Sequence, residues 1–171
     1  MFIRFSRLII LISCTLLITA CEEDLFPSND QLSNDSVGTV VEDFTFTLSN
    51  NTTDSLSSRL QNADAVVLYF TMWCPVCETH MDNLRKNFKG QYGEIDFIFV
   101  DYVSGSIIET ESAQNAKGYT DFDVIADYDN ALQDSLSGTM GSTIVIDQNF
   151  IIQMNEDFKA GNELKAVIDS L

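Results

Sequence analysis

The sequence predicts an α/β domain built as a mixed sheet covered by helices. Length comes first. The chain has 171 residues, and removing a 20-residue leader leaves 151, enough for one domain with its own core and too few for two. Composition agrees: apolar residues are 45% and charged residues 20%, with only 8 Gly and 2 Pro, which excludes disordered, collagen-like and disulfide-dense chains. A continuous apolar run, Ala65 to Phe70, and a second strand, Ile95 to Val100, alternate with helical patterns, as strands covered on both faces do.

The elements follow in order. Glu42 to Leu48 alternates Phe44 and Phe46 with threonines, the period of a half-buried strand. After the Asn50-Asn51 turn, Thr52 to Leu56 returns as its hairpin partner. The strand Ala65 to Phe70 leads into a helix over Pro75 to Phe88, with proline at its first position and Lys86 and Lys89 near its end, where cations complement the helix dipole. Ile95 to Val100 is a strand, Ser106 to Lys117 a helix, Phe122 to Ile125 a short strand, and Asp129 to Leu136 a short helix capped by Asp129. Thr143 to Ile146 and Phe150 to Met154 form a hairpin around Asp147-Gln148-Asn149, and Gly161 to Leu171 closes as a helix.

Ahead of this domain, residues 1–20 read as a secretory signal: Arg4 and Arg7, then the apolar run Leu8 to Leu17, then small residues. A run of roughly ten is too short to span a bilayer, which needs about 20. Ile18-Thr19-Ala20-Cys21 resembles the bacterial lipobox, which implies lipidation of Cys21 and a membrane anchor; the alternative is a plain signal with a coincidental cysteine. Residues 21–37 are rich in Ser, Asn and Asp and read as a flexible acidic tether, leaving 38–171 as the domain. The net charge is −17, and loss of the two leader arginines takes it to −19. Nucleic acid is excluded as a partner, because phosphate contacts need clustered cations.

One motif carries chemistry. With Cys21 lipidated and the leader gone, the remaining thiols are Cys74 and Cys77, in Trp73-Cys74-Pro75-Val76-Cys77 at the junction of a buried strand and a helix. Unpaired N–H groups and the positive helix end stabilise a thiolate there, and two intervening residues let the sulfurs meet across one turn. Cys74, at the helix start, is placed to attack a disulfide, and Cys77, one turn in, to resolve the mixed disulfide.

From about Val37 onward the chain resembles the thioredoxin superfamily, and most closely the exported TlpA/ResA-like thiol-disulfide oxidoreductases of the redoxin group. The matching stretches are Glu42 to Phe46, Val67 to Cys77, Phe97 to Asp101 and Ser142 to Asp147. The resemblance implies a three-layer α/β/α fold with helices on both faces of a mixed sheet and an N-terminal β-hairpin extension. It implies Cys74 as nucleophile and Cys77 as resolving thiol in a redox-active pair, with Trp73, Pro75, Val76, His80, Met140 and Gly141 as neighbours. It further implies disulfides of exported proteins as substrates, a membrane electron donor as partner, and residence at the bacterial cell envelope, on the periplasmic side in a Gram-negative cell. The dithiol chemistry calls for no cofactor and no metal.

The departures are specific. The family's cis-proline position falls on Gly141, whose backbone freedom preserves the loop shape. The glutamate common three residues after the second cysteine is His80, the only histidine; a helix-kinking proline position is Asp82; and thioredoxin's buried aspartate falls at Leu68. His80 reads either as a solvent-facing helix residue or as a proton manager near Cys77. Trp73 reads as a substrate-facing ring, with plain packing as the alternative, and Met72 and Met140 as packing residues.

Two other functions stay open. Thr71-Met72-Trp73-Cys74 echoes the peroxiredoxin TxxC, which makes Cys74 a peroxide-reducing thiol, with only Arg59 and Arg85 available to polarise the peroxide. Alternatively, Cys74, Cys77 and His80 hold copper or zinc in a chaperone-like domain. The Pro75-Val76 dipeptide is arranged as in glutaredoxins, whose potentials lie at about −200 to −230 mV, so a mildly reducing couple acting as a reductase is the expectation.

Overall fold

The structure is a computed structural model that describes residues 36–171. The leader, Cys21 and the tether up to residue 35 lie outside the described residues. In chain order the elements are β1 (Thr45–Thr47), β2 (Thr53–Ser55), α1 (Leu56–Leu60), β3 (Ala65–Thr71), α2 (Pro75–Leu84), running on into a π-helical turn over Arg85–Lys89, β4 (Ile95–Asp101), α3 (Ile107–Lys117), β5 (Asp123–Ala126), α4 (Ala131–Leu136), β6 (Ser142–Asp147), β7 (Ile152–Asp157) and α5 (Asn162–Ile168).

The main sheet has the order β5-β4-β3-β6-β7. The pairs β3·β4 and β4·β5 are parallel, whereas β3·β6 and β6·β7 are antiparallel, so the sheet is mixed. β1 and β2 form a separate antiparallel hairpin, in the register Thr45 to Ser55, joined to the main sheet by a bridge between Leu48 and Ile125. This is the expected thioredoxin-like arrangement with its hairpin extension.

β3 lies at the centre, and every one of its residues is buried. Its alternation divides the core in two, because successive side chains point to opposite faces. Ala65, Val67 and Tyr69 join Met81, Leu84 and Phe88 of the long helix and Leu164 and Ile168 of α5 on one side. On the other, Val66, Leu68 and Phe70 meet Phe46 of the hairpin, Leu56 and Leu60 of α1, and Leu132 and Leu136 of α4. Each of the larger aliphatic and phenylalanine side chains among them contributes about 1.5–3 kcal/mol through apolar burial.

Several boundaries differ from expectation, each for a local reason. The returning hairpin strand stops at Ser55, whose hydroxyl accepts the Ser58 N–H at 3.1 Å and starts α1, a helix the sequence reading did not contain. The N-cap of helix α4 is Asn130 and not Asp129, although Asp129 accepts the Ala131 N–H at 3.4 Å. Buried Asp127 accepts the N–H groups of Leu132 at 3.0 Å and Gln133 at 2.8 Å and thereby serves the first turn. The last strand runs to Asp157 instead of Met154, because Asn155 is itself buried and donates to Ser36 Oγ at 2.8 Å and to Leu136 O. The closing helix is Asn162–Ile168, shorter than Gly161 to Leu171.

No helix among the described residues is long and apolar enough to cross a membrane.

Candidate active site

β3 delivers the chain to the edge of the core at Thr71, and the next residues turn it sharply into α2. The buried Thr71 hydroxyl accepts the Trp73 N–H at 3.0 Å, and Trp73 takes a left-handed backbone conformation, φ +56°, uncommon for a residue with a side chain. The turn sets Cys74 as the N-cap of α2 in extended geometry, with Pro75 opening the first turn, where its missing N–H is no loss.

The two sulfurs then meet. Cys74 Sγ and Cys77 Sγ lie 2.8 Å apart as free thiols, and the Cys77 N–H donates to Cys74 Sγ at 3.2 Å. Cys74 is partly exposed, and Cys77 is wholly buried. The Cys77 thiol donating to Cys74 holds the Cys74 thiol below its ordinary value; the backbone N–H groups of the first turn add to this, and burial opposes them. An accessible thiol stabilised as thiolate beside a buried one is the asymmetry a nucleophile and its resolving partner require.

The expected neighbours are differently disposed. Pro75 and Val76 are exposed on the rim. Met140, expected to pack, is exposed, and its Sδ lies 3.6 Å from Cys74 Sγ; Met72 is exposed as well. Trp73, expected to face substrate, is only 8% exposed, and its ring packs near Tyr119 at 6.4 Å, so the packing alternative holds for it. Its indole N–H is buried without a partner. Gly141 has φ +90°, donates its N–H to Phe70 O at 3.0 Å and accepts from Phe158 N at 2.8 Å. The loop shape therefore rests on a backbone region that proline, fixed near φ −65°, cannot enter.

His80 is no free surface residue. It is half-buried, stacks obliquely on Phe158 at 4.9 Å, and its Nδ1 lies 3.0 Å from the Tyr69 hydroxyl. Burial lowers its pKa, against the opposing pull of Asp157. Tyr69, which sequence reasoning passed over as one more apolar residue of a strand, has its pKa raised by burial first and then by the nearby Cys77. Tyr102 is likewise raised by burial and then by the two cysteines. The position of thioredoxin's buried aspartate, Leu68, points into the opposite half of the core.

This geometry bears on both alternative functions. Among the described residues no three His, Cys, Asp or Glu side chains converge to hold a metal, and His80 as third ligand is corrected: its ring is turned to Tyr69. The Thr71 hydroxyl, which the peroxide reading needs at the thiol, is fully buried and spent on Trp73 N–H and Met81 Sδ. Both candidate arginines are engaged elsewhere. Arg59 pairs with Asp54, Asp96 and Asp123, and Arg85 with Asp121 while lying over the Tyr119 ring at 4.2 Å.

Comparison with known proteins agrees with the fold. Residues 36–163, well over half of the chain, match the Redoxin family. No curated protein matches its sequence. Among solved structures it is similar to a putative protein disulfide isomerase from Bacteroides thetaiotaomicron, with 20% identity, TM-score 0.64, and coverage of 78% of this chain and 86% of that one. It is also similar to a peroxidoxin from Mycobacterium tuberculosis, with 19% identity, TM-score 0.63, and coverage of 80% and 97%. A third is the thioredoxin domain of a thiol-disulfide oxidoreductase from Bacteroides vulgatus, with 14% identity, TM-score 0.62, and coverage of 77% and 97%. At these identities the likeness is one of fold.

Proposed function

The chain belongs to the Redoxin family, a group of redox proteins, and we propose that within it this chain is a thiol-disulfide oxidoreductase of TlpA/ResA type that reduces or exchanges disulfides in exported proteins. Cys74 attacks a client disulfide, and Cys77 resolves the mixed disulfide, leaving the client reduced and the Cys74/Cys77 pair oxidised. The observation that carries this reading is the dithiol itself: two free sulfurs 2.8 Å apart, one accessible and activated, the other buried within reach. The commitment of Thr71 to Trp73 and Met81 favours disulfide exchange over peroxide reduction. The exposed side chains of Met72, Val76 and Met140 give the nucleophile an apolar, open surround that suits a polypeptide.

The reductase direction is part of the proposal, with electrons supplied by a membrane donor. So is the address: export, lipidation at Cys21, and a membrane-tethered domain at the cell envelope. The deciding experiment is trapping. Cys77→Ser is expected to accumulate mixed disulfides through Cys74 with disulfide-bonded proteins, whereas Cys74→Ser accumulates none. Adducts on Cys77 instead would reverse the assignment, and no adduct on either would remove it.

A further inference from the structure

Resolution of a mixed disulfide needs Cys77 as a thiolate, yet Cys77 is wholly buried and has no carboxylate beside it in the role that Leu68 leaves empty. A buried thiol must hand its proton to something. Tyr69, from the central strand and itself 1% exposed, shares the same buried cluster as Cys77, and His80 lies three residues further along α2, about one helical turn. The Tyr69 hydroxyl is 3.0 Å from His80 Nδ1, and the imidazole reaches partial exposure. A β-carbon added at Gly141 would lie 3.9 Å from the same Nδ1, at ordinary contact distance, so the Gly141 loop borders the imidazole.

We propose that Tyr69 and His80 form the proton exit of the resolving thiol, the Tyr69 hydroxyl bridging Cys77 to the imidazole and the imidazole passing the proton to solvent. This rests on the disulfide-exchange reading above. In the step, Cys77 Sγ attacks Cys74 Sγ of the mixed disulfide. Its proton moves to Tyr69 Oη as the phenolic proton moves to His80 Nδ1, so no phenolate accumulates. The Cys77–Cys74 bond forms, the bond from Cys74 to the client sulfur breaks, and the client leaves as a thiolate that solvent protonates. The client gains two electrons, the protein loses two, and His80 returns its proton to water. Nδ1 must be the free nitrogen, with the proton on Nε2. Burial, which depresses the His80 pKa, keeps the ring neutral and ready to accept. The titratable groups facing His80 are Tyr69 from β3 and Asp157 at the end of β7, with Cys77 three residues before it on its own helix. Asp157 pulls the pKa upward, which favours the imidazolium once formed.

The test is a single-turnover reaction of the reduced full chain with a chromogenic nitrobenzoate disulfide. One coloured thiol is released when Cys74 attacks, at a rate set by disulfide concentration, and a second when Cys77 resolves, at a rate independent of it. For Tyr69→Phe the ratio of second-phase to first-phase rate is expected to fall about tenfold or more, within the range general acid–base groups supply. His80→Asn should lose the acidic inflection of the second phase against pH, and His80→Gln should not restore it, as an amide accepts no proton. In the unaltered protein, deuterium oxide should slow the second phase more than the first, a readout that no folding defect affects. Wild-type ratios and pH profiles in both variants, or equal isotope effects on the two phases, would overturn the relay while leaving disulfide exchange intact. Absence of the first phase would overturn both.

Discussion

The sulfur of Met140 lies 3.6 Å from that of Cys74, although 66 residues separate them in the chain. The loop before β6 and the turn before α2 are thus brought to one point, at the end of the two adjacent strands β3 and β6. An accessible thiol at that point is roofed on one side by a flexible thioether and, on the other, accepts hydrogen bonds from Cys77.

The first expectation concerns that acceptance. Because the Cys77 thiol is the largest influence holding the Cys74 pKa down, Cys77→Ala should raise it and slow alkylation of Cys74 at pH 7, while Cys77→Ser, which keeps a hydroxyl donor, should slow it less. Alkylation rate against pH measures both. Profiles in both variants identical to that of the unaltered protein would assign the shift to the helix N-terminus alone.

A second expectation follows from His80 being the only histidine. Its folded pKa is lowered by burial, so on acidification the unfolded chain takes up its proton first. Stability is therefore present in full above the folded-state pKa's unfolded counterpart, near 6.5, and falls as pH drops through that value toward the folded one. Tm should decline between about pH 7.5 and 5.5, and His80→Gln should flatten that slope. A slope unchanged by the substitution would place its origin elsewhere.

The third concerns the loop glycines. Gly141→Pro should destabilise strongly, by about 3 kcal/mol or more, since proline cannot take φ +90° and removes the N–H that bonds Phe70 O. Gly138→Ala should also destabilise, by about 1–3 kcal/mol, because a β-carbon there would lie 2.4 Å from the Phe70 ring. Denaturant melts of the two variants supply the comparison; wild-type stability in either would mean that the loop adjusts.

A fourth rests on Arg59, which binds Asp54 at 2.7 Å, Asp96 at 3.3 Å and Asp123 at 2.7 Å, tying the hairpin side of the molecule to β4 and β5. Arg59→Gln leaves three carboxylates facing one another, partly screened by water. The expected loss is about 1–2 kcal/mol, reduced by added salt. A loss insensitive to salt would point to packing of the Arg59 guanidinium over the Phe46 ring instead.

The fifth tests the anchor. Cys21→Ala should release the domain from detergent-extracted membranes into the soluble exported fraction, or leave a precursor that retains its leader. An unmodified Cys21 at the mature amino terminus, found by mass spectrometry, would remove lipidation.

How much of this was legible in the sequence depends on range. The strand over Ala65 to Phe70 was readable because both its faces are buried, which writes an unbroken apolar run, and the strand over Ile95 to Val100 because Phe97 to Val100 does the same beyond the half-buried Asp96. Helix α1 was not, since five residues give too little periodicity, although Leu56 and Leu60 stand at helical spacing and are both buried. The cysteine pair was readable because its chemistry is local. Tyr69 was hidden inside an apolar run, where a hydroxyl looks incidental until its partner eleven residues on is placed beside it. Met140 and Trp73 changed places, the thioether exposed and the indole interior, because which side chain lines a turn depends on the backbone angle at Trp73, and residue type does not reveal that.

That angle has a further consequence. A turn held at φ +56° by the Thr71 hydroxyl and a buried indole leaves little freedom to the residues that follow. The two thiols consequently face each other at an effective concentration far above that of any dissolved thiol, which a flexible loop of the same sequence would not provide. Ring closure between Cys74 and Cys77 is then nearly free of chain-ordering entropy, and on the proposed exchange reaction the lifetime of a client adduct would be governed by proton movement at Cys77 instead of by any search of the chain.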